Sequence, residues 1–77
     1  MALVEKFEQL TMDRNSVHGL VRCTYSVFSD GNGNRYLQLD TYGSATRKIG
    51  GKKSQSLQLD QKAIDSLCEI LRSEGFL

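Results

Sequence analysis

Six consecutive residues, Ser29-Asp30-Gly31-Asn32-Gly33-Asn34, set an Asp-Gly and an Asn-Gly dipeptide side by side between two alternating stretches. Glycine and asparagine reach the positive backbone φ that a tight reversal needs, so this composition marks a hairpin turn. Before the turn, Val21, Cys23, Tyr25 and Val27 point one way and Arg22, Thr24 and Ser26 the other. After it, Leu37, Leu39 and Thr41 share one face, and Tyr36, Gln38, Asp40 and Tyr42 share the opposite one. Period-two alternation rich in β-branched and aromatic residues predicts a strand with two unlike faces. Strands near 20–29 and 35–42, paired as a hairpin, follow from this.

A third strand is predicted over 54–59, with Leu57 and Leu59 inward and Ser56 and Gln58 outward. The tetrapeptide Leu-Gln-Leu-Asp occurs at 37–40 and again at 57–60, which reads as two strands presenting the same pattern to one sheet. The period then changes. Ala63, Ile64, Leu67, Cys68 and Leu71 recur at helical spacing, while Asp65, Glu69 and Arg72 fall on the other side. Asp60 is placed to cap this helix, Leu59 and Ile64 are spaced for a hydrophobic staple, and Gly75 is placed to end it. A helix near 61–73 is expected, with Phe76 folding back on Leu71. Residues 1–12 fit a first strand or a short helix equally well, because Leu3, Phe7 and Leu10 form a helical stripe that Val4 and Met12 blur. Asp13 to Ser16 read as a turn.

Strands followed by one amphipathic helix make an α+β fold, an antiparallel sheet with a C-terminal helix over one face. Its 77 residues make a single domain, 1–77, and the 39% of apolar residues suffice for one small core. A chain of this size buries only about 60% of the surface its unfolded form exposes. With Ile64, Leu67 and Leu71 used against the sheet, Ile70 and the Phe76-Leu77 end remain for a partner, so a homodimer is expected.

Several function classes drop out. Two cysteines make no disulfide scaffold, and both alternate into apolar faces. His18 is the sole histidine and has no nucleophile or orienting acid near it in sequence. Asp40 and Asp60 are two carboxylates without a third metal ligand. Gly31-Asn32-Gly33 and Gly50-Gly51 lack the spacing, and the helix directly following, of a phosphate-binding loop. No enzyme, no cofactor and no metal is expected. No apolar run is long enough for a membrane span or a signal-peptide core, so an intracellular place, cytoplasmic or nucleoid-associated, is expected.

Charge supplies the positive signal. The net charge is +1, yet the middle of the chain, 14–53, is basic and both ends are acidic. Such segregation builds a local positive field that the overall balance conceals. Arg47, Lys48, Lys52 and Lys53 put four cations into seven residues, an arm able to follow a phosphate backbone. Tyr36 and Tyr42 offer rings for stacking on unpaired bases, and Gln38, Gln55 and Gln58 offer hydrogen-bonding groups beside them. The competing reading is a solvated charged loop with tyrosines anchoring a sheet edge.

The order strand, turn, strand, basic Gly-rich loop, strand, helix resembles the positive cofactor four family of single-stranded-DNA-binding transcriptional coactivators. The resemblance spans roughly 20–73 and is carried by Gly-Gly-Lys-Lys-Ser-Gln-Ser-Leu-Gln-Leu-Asp at 50–60, running into the helix. It implies a curved four-stranded sheet and C-terminal helix that pair with a second copy, with strands and basic loops holding single-stranded DNA. Lys52 and Lys53 then match the family's basic-turn positions, and Arg35 lies near another of its cations. Two positions depart from the pattern: Asp40 stands where a basic residue is expected, and Gly43 where an aromatic is. The first expectation is therefore a single-stranded nucleic-acid-binding module acting in transcription or DNA metabolism, through Arg35, Tyr36, Tyr42, Arg47, Lys48, Lys52 and Lys53. The second is a small accessory subunit, for instance of a phage- or defence-related system, that docks on an acidic protein partner and binds no nucleic acid.

Overall fold

The structure, a computed structural model, describes residues 1–43 and 52–77. Its elements are β1 (Ala2–Leu3), β2 (Cys23–Ser29), β3 (Arg35–Tyr42), β4 (Lys53–Asp60) and α1 (Gln61–Ser73). They form one four-stranded sheet in the order β1-β4-β3-β2, followed by the helix, an α+β architecture. The expected antiparallel part is the meander β2-β3-β4. The sheet as a whole is mixed, because β1 lies parallel to β4, with Ala2 opposite Leu57 and Leu3 opposite Gln58. The backbone N–H of Val4 extends that pairing to the Gln58 carbonyl at 2.9 Å. The ambiguous N-terminal segment is thus a two-residue strand, and residues 4–22 carry no further helix or strand.

The hairpin forms for the reason its composition suggests. Gly31 and Gly33 both sit at φ +89°, where a Cβ would be strained. The Asp30 carboxylate ties the reversal together by accepting from the backbone N–H of Asn32 at 2.8 Å and the side-chain amide of Asn34 at 3.0 Å. Beyond the turn, Val27 pairs with Leu37, Tyr25 with Leu39 and Cys23 with Thr41, while Phe28 pairs with Tyr36 and Ser26 with Gln38. Across β3 and β4, Leu37 pairs with Leu59 and Leu39 with Leu57, while Gln38 pairs with Gln58 and Asp40 with Ser56. The alternation therefore builds an apolar and a polar face, as the sequence pattern requires. The strand expected from residue 20 begins at Cys23; Leu20 and Val21 precede it and are exposed.

Asp60 caps α1. Its carboxylate accepts from the backbone N–H of Ala63 at 2.9 Å, supplying one of the first-turn partners the helix itself cannot provide. At the other end Gly75 adopts φ +85°. The N–H of Phe76 reaches the Leu71 carbonyl at 2.8 Å and that of Gly75 the Arg72 carbonyl at 3.2 Å, closing the helix in a Schellman arrangement. The Phe76 side chain itself remains exposed. The helix is too short and too polar to cross a membrane, and no other helix of the described residues does so.

Burial is sparse. Among the described residues the fully buried apolar ones are Leu59 and Ala63, both where α1 leaves the sheet. Full burial of one leucine stabilises by roughly 1.5–3 kcal/mol, so this pair is a small core. Cover on the apolar face is lost along the strands: Leu59 is 1% exposed, Leu57 37%, Val27 51% and Tyr25 75%. The chain exposes 7039 Å² in all, where a folded monomer of its mass should expose about 4,700 Å². Its radius of gyration is 14.9 Å, against about 11.5 Å for a compact domain of this length.

Candidate nucleic-acid interface

The polar face carries the candidate site. Along β3, Tyr36, Gln38, Asp40 and Tyr42 follow one another at every second residue. The two tyrosines are six positions apart along the strand, a span of ~20 Å. Their cross-strand neighbours on β4 are Asp60, Gln58, Ser56 and Lys53.

Lys53 belongs to this set only because of an irregularity. Thr41 pairs with Gln55, yet Tyr42 pairs with Lys53, so β4 carries one extra residue opposite β3 at this point. Strict alternation would send Lys53 to the apolar face with Gln55, Leu57 and Leu59. A bulge shifts the alternation by one and re-aims the side chain. The Lys53 ammonium accordingly lies 3.4 Å from the Asp40 carboxylate on the polar face. Gln55 stays behind: it shares a recess with Cys23, Leu39 and Leu57, so the expectation that it joins the polar neighbourhood is corrected.

Asp40, at 4% exposure, is the buried charged residue of the sheet. Ser56 donates its hydroxyl to one carboxylate oxygen, and the Gln38 amide donates to both at 3.1 Å. The Ser56 hydroxyl is the main cause holding this carboxyl below the usual carboxylate range; burial opposes it, and Gln38 and Lys53 add to it. The carboxylate that stands where the resemblance leads one to expect a basic residue is therefore held inside the sheet by partners of its own. Gln58 completes the row by donating its amide to the Gln38 carbonyl at 2.9 Å.

An aromatic group stands at each end. Tyr36 stacks on Phe28 with ring centroids 5.3 Å apart and an interplanar angle of 25°. Its hydroxyl donates to Asp30 at 3.2 Å, so the turn and the ring hold each other. Burial, then the Asp30 charge, raises the Tyr36 pKa, and hydrogen bonds from Asn34 and Asn32 lead in lowering that of Asp30. At the far end the Arg22 guanidinium lies 4.3 Å from the centroid of the Tyr42 ring, and the Tyr42 hydroxyl sits 3.0 Å from that of Thr24. Arg22 was not among the expected site residues. Its signal was available, since it alternates with Thr24 and Ser26 on the polar side just ahead of β2.

The structure thus brings together Tyr36, Tyr42 and Lys53, with the exposed Lys52 next to the last. Arg35, opposite Ser29, has the register of the other face of β3, away from Tyr42 and Lys53, but it lines one recess with Tyr36, Asp60 and Lys62. Arg47 and Lys48 lie outside the described residues. Among the described residues no group of three or more histidine, cysteine or acidic side chains is placed to hold a metal ion. Compared with known proteins, the chain matches no family model, no curated protein and no solved structure.

Proposed function

We propose that this protein is a non-enzymatic, homodimeric binder of single-stranded nucleic acid that uses the polar face of its sheet, in the manner of the positive cofactor four family it resembles. The observation that carries the reading is the β4 bulge opposite Thr41 and Tyr42, which sets a lysine on the same face as two tyrosines and a row of side-chain amides. Rings ~20 Å apart suit bases that stack without regard to sequence, since every base has a π-face. Lys52, Lys53 and Arg22 supply positive charge along that path for the phosphates.

Dimerisation draws on the other face. The apolar side of the sheet is left partly uncovered, and pairing with a second copy would remove that surface from water. Tyr25, Val27, Leu57, Ile70 and Phe76 are the exposed apolar side chains that pairing would cover. Sedimentation at micromolar concentration should give about twice the 8.6 kDa of the chain, and a clean monomer would remove the homodimer.

Binding is tested with labelled single-stranded DNA across a salt series. Log affinity should fall linearly with log salt, and the Lys52→Ala/Lys53→Ala pair should flatten that slope by roughly 0.7 for each phosphate no longer neutralised. Tyr42→Ala should weaken binding by about 1–3 kcal/mol with little change in slope. A protein without affinity for any oligonucleotide at low salt would leave the accessory subunit with an acidic protein partner as the better reading.

A further inference from the structure

β2 is the last strand of the sheet on its side, so one of its edges is open among the described residues. Two hydrogen bonds fix which backbone groups lie on that edge. The N–H of Tyr42 reaches the Arg22 carbonyl and that of Asp30 the Asn34 carbonyl, each at 3.1 Å. Along an antiparallel pair, residues that exchange such bonds alternate with residues that do not. Counted in twos between Arg22 and Asp30, Thr24, Ser26 and Phe28 bond to β3. Cys23, Tyr25, Val27 and Ser29 therefore turn outward, with one donor and one acceptor each. Natural sheets guard such an edge with lysine, proline, a bulge or a very short strand. β2 uses none of these. Cys-Thr-Tyr-Ser-Val-Phe-Ser is uncharged, and its register with β3 is regular from end to end. Tyr25 and Val27 also expose their side chains, so a strand laid along the edge would cover them while it satisfied the backbone.

The residues of the edge select the strand that fits it. Two copies related by a two-fold axis present the same patch to each other, and their edge strands run antiparallel. With the axis at Ser26, the whole of β2 pairs: Tyr25 meets the partner's Val27 and Cys23 meets the partner's Ser29. Both pairs join outward-turned residues, so each exchanges two backbone bonds. An aromatic opposite a β-branched side chain is a favourable cross-strand pair, and symmetry supplies it twice. One residue beyond the strand at either end, Arg22 stands opposite the partner's Asp30, and Asp30 opposite the partner's Arg22. Opposite charges thus meet at both ends. A slip of two residues leaves part of each strand without a partner and sets Arg22 against Phe28 or Asn32 instead.

We infer that the open edge of β2 is a self-complementary docking strand, occupied by β2 of a second copy of this chain in antiparallel register about Ser26. This rests on the homodimer reading above and gives it a geometry. Two four-stranded sheets become one continuous sheet, with the polar rows of both copies on the same side.

The first test reads amide hydrogen exchange along β2 of the wild-type protein by NMR. The amides of Tyr25 and Val27 should exchange within about tenfold of those of Thr24, Ser26 and Phe28, which β3 holds. Pairing through any other surface leaves Tyr25 and Val27 to water, and slow and fast amides then alternate along the strand. Disulfide trapping reads the register. With Cys23→Ser and Cys68→Ser removing the native thiols, Ser26→Cys places two thiols on one cross-strand pair. The Cα atoms of such a pair lie ~4.5 Å apart, within reach of a disulfide, so most of the chain should cross-link under mild oxidation. Thr24→Cys in the same background sets the two thiols four residues out of step, a distance of ~13 Å, and should not cross-link. A dimer with freely exchanging Tyr25 and Val27 amides would overturn the inference and leave the homodimer standing. So would a dimer in which Ser26→Cys fails to cross-link, or in which Thr24→Cys cross-links equally well. A clean monomer in sedimentation would overturn both.

Discussion

On the polar face of the β2-β3-β4 meander, each side chain of β3 from Tyr36 to Tyr42 has a hydrogen-bond partner within the chain. On the opposite face of the same strands, Tyr25 is largely uncovered and Val27 and Leu57 partly so, and cover is complete at Leu59. The same backbone supports both, so the contrast lies in the side chains. A polar row whose groups satisfy one another is held in shape whether or not a ligand is present, which spares a ligand the cost of ordering it. An apolar face left in water forgoes roughly 25 cal/mol for each Å² exposed. The first arrangement suits a site and the second an interface.

The largest effect expected on either face is at Leu59. Leu59→Ala removes the one large side chain that is fully buried among the described residues, and should cost about 2–5 kcal/mol in chemical denaturation. A cost below about 1 kcal/mol would mean that the stabilising contacts lie elsewhere. Next is Val27→Asp, at a half-exposed position away from the polar row. In a monomer this change is nearly neutral, but in a covered interface it buries an unpaired charge. Dimer dissociation should become about a hundredfold easier in sedimentation, while affinity per chain for single strands changes little at concentrations where both proteins are dimers. Loss of nucleic-acid binding by this variant as a monomer would show that the two faces are coupled.

Asp60 joins the faces, since it shares the register of Tyr36 on the polar side yet caps the helix that begins beside Leu59. Asp60→Ala should cost about 1 kcal/mol, the usual worth of an N-cap. Asp60→Ser, which also accepts from a backbone N–H, should restore most of it. Equal loss in both variants would assign the effect to the polar face rather than to the cap.

Much of this was legible in the chain. The Asp30–Asn34 turn, the two-faced strands and the Asp60 and Gly75 helix ends are set by neighbours in sequence, and turn chemistry and periodicity report such features directly. The parallel pairing of Ala2-Leu3 with β4 was not legible, because two residues carry no period and their partner lies far along the chain, at Leu57 and Gln58. The bulge escaped for a similar reason: alternation counts residues evenly, and nothing local in Lys53-Ser54-Gln55 marks the extra one. That one residue decides which face receives Lys53 and which keeps Gln55. Asp40 read only as a departure from the family pattern because sequence shows its sign but not its partners, Ser56 being on the next strand. Arg22 shares the polar alternation of Thr24 and Ser26, which was legible, but the Tyr42 ring it meets is shown only by strand pairing.

The smallest expected effect separates the faces by pH. The Asp40 carboxyl is held below its ordinary value in the folded protein, chiefly by the Ser56 hydroxyl, so the unfolded chain takes up its proton at a higher pH than the native one. Stability from this network is complete above the ordinary carboxylate range, about pH 4, and is lost as pH falls through that range toward the depressed native value. Asp30 is shifted the same way by Asn34 and Asn32, so the wild-type acid limb contains both groups. Asp40→Asn deletes one of them. Its melting temperature should lie below that of the wild type at neutral pH, and the two curves should converge below about pH 4 as the wild-type carboxyl protonates. Val27→Asp supplies the contrast from the apolar face, where the added carboxylate has no native partner and protonation should relieve its cost, so that this variant gains on the wild type as pH falls. An Asp40→Asn curve parallel to the wild type from neutral to acid pH would show that the buried carboxylate contributes no charge-dependent stability, and that the amide row is held in place by packing instead.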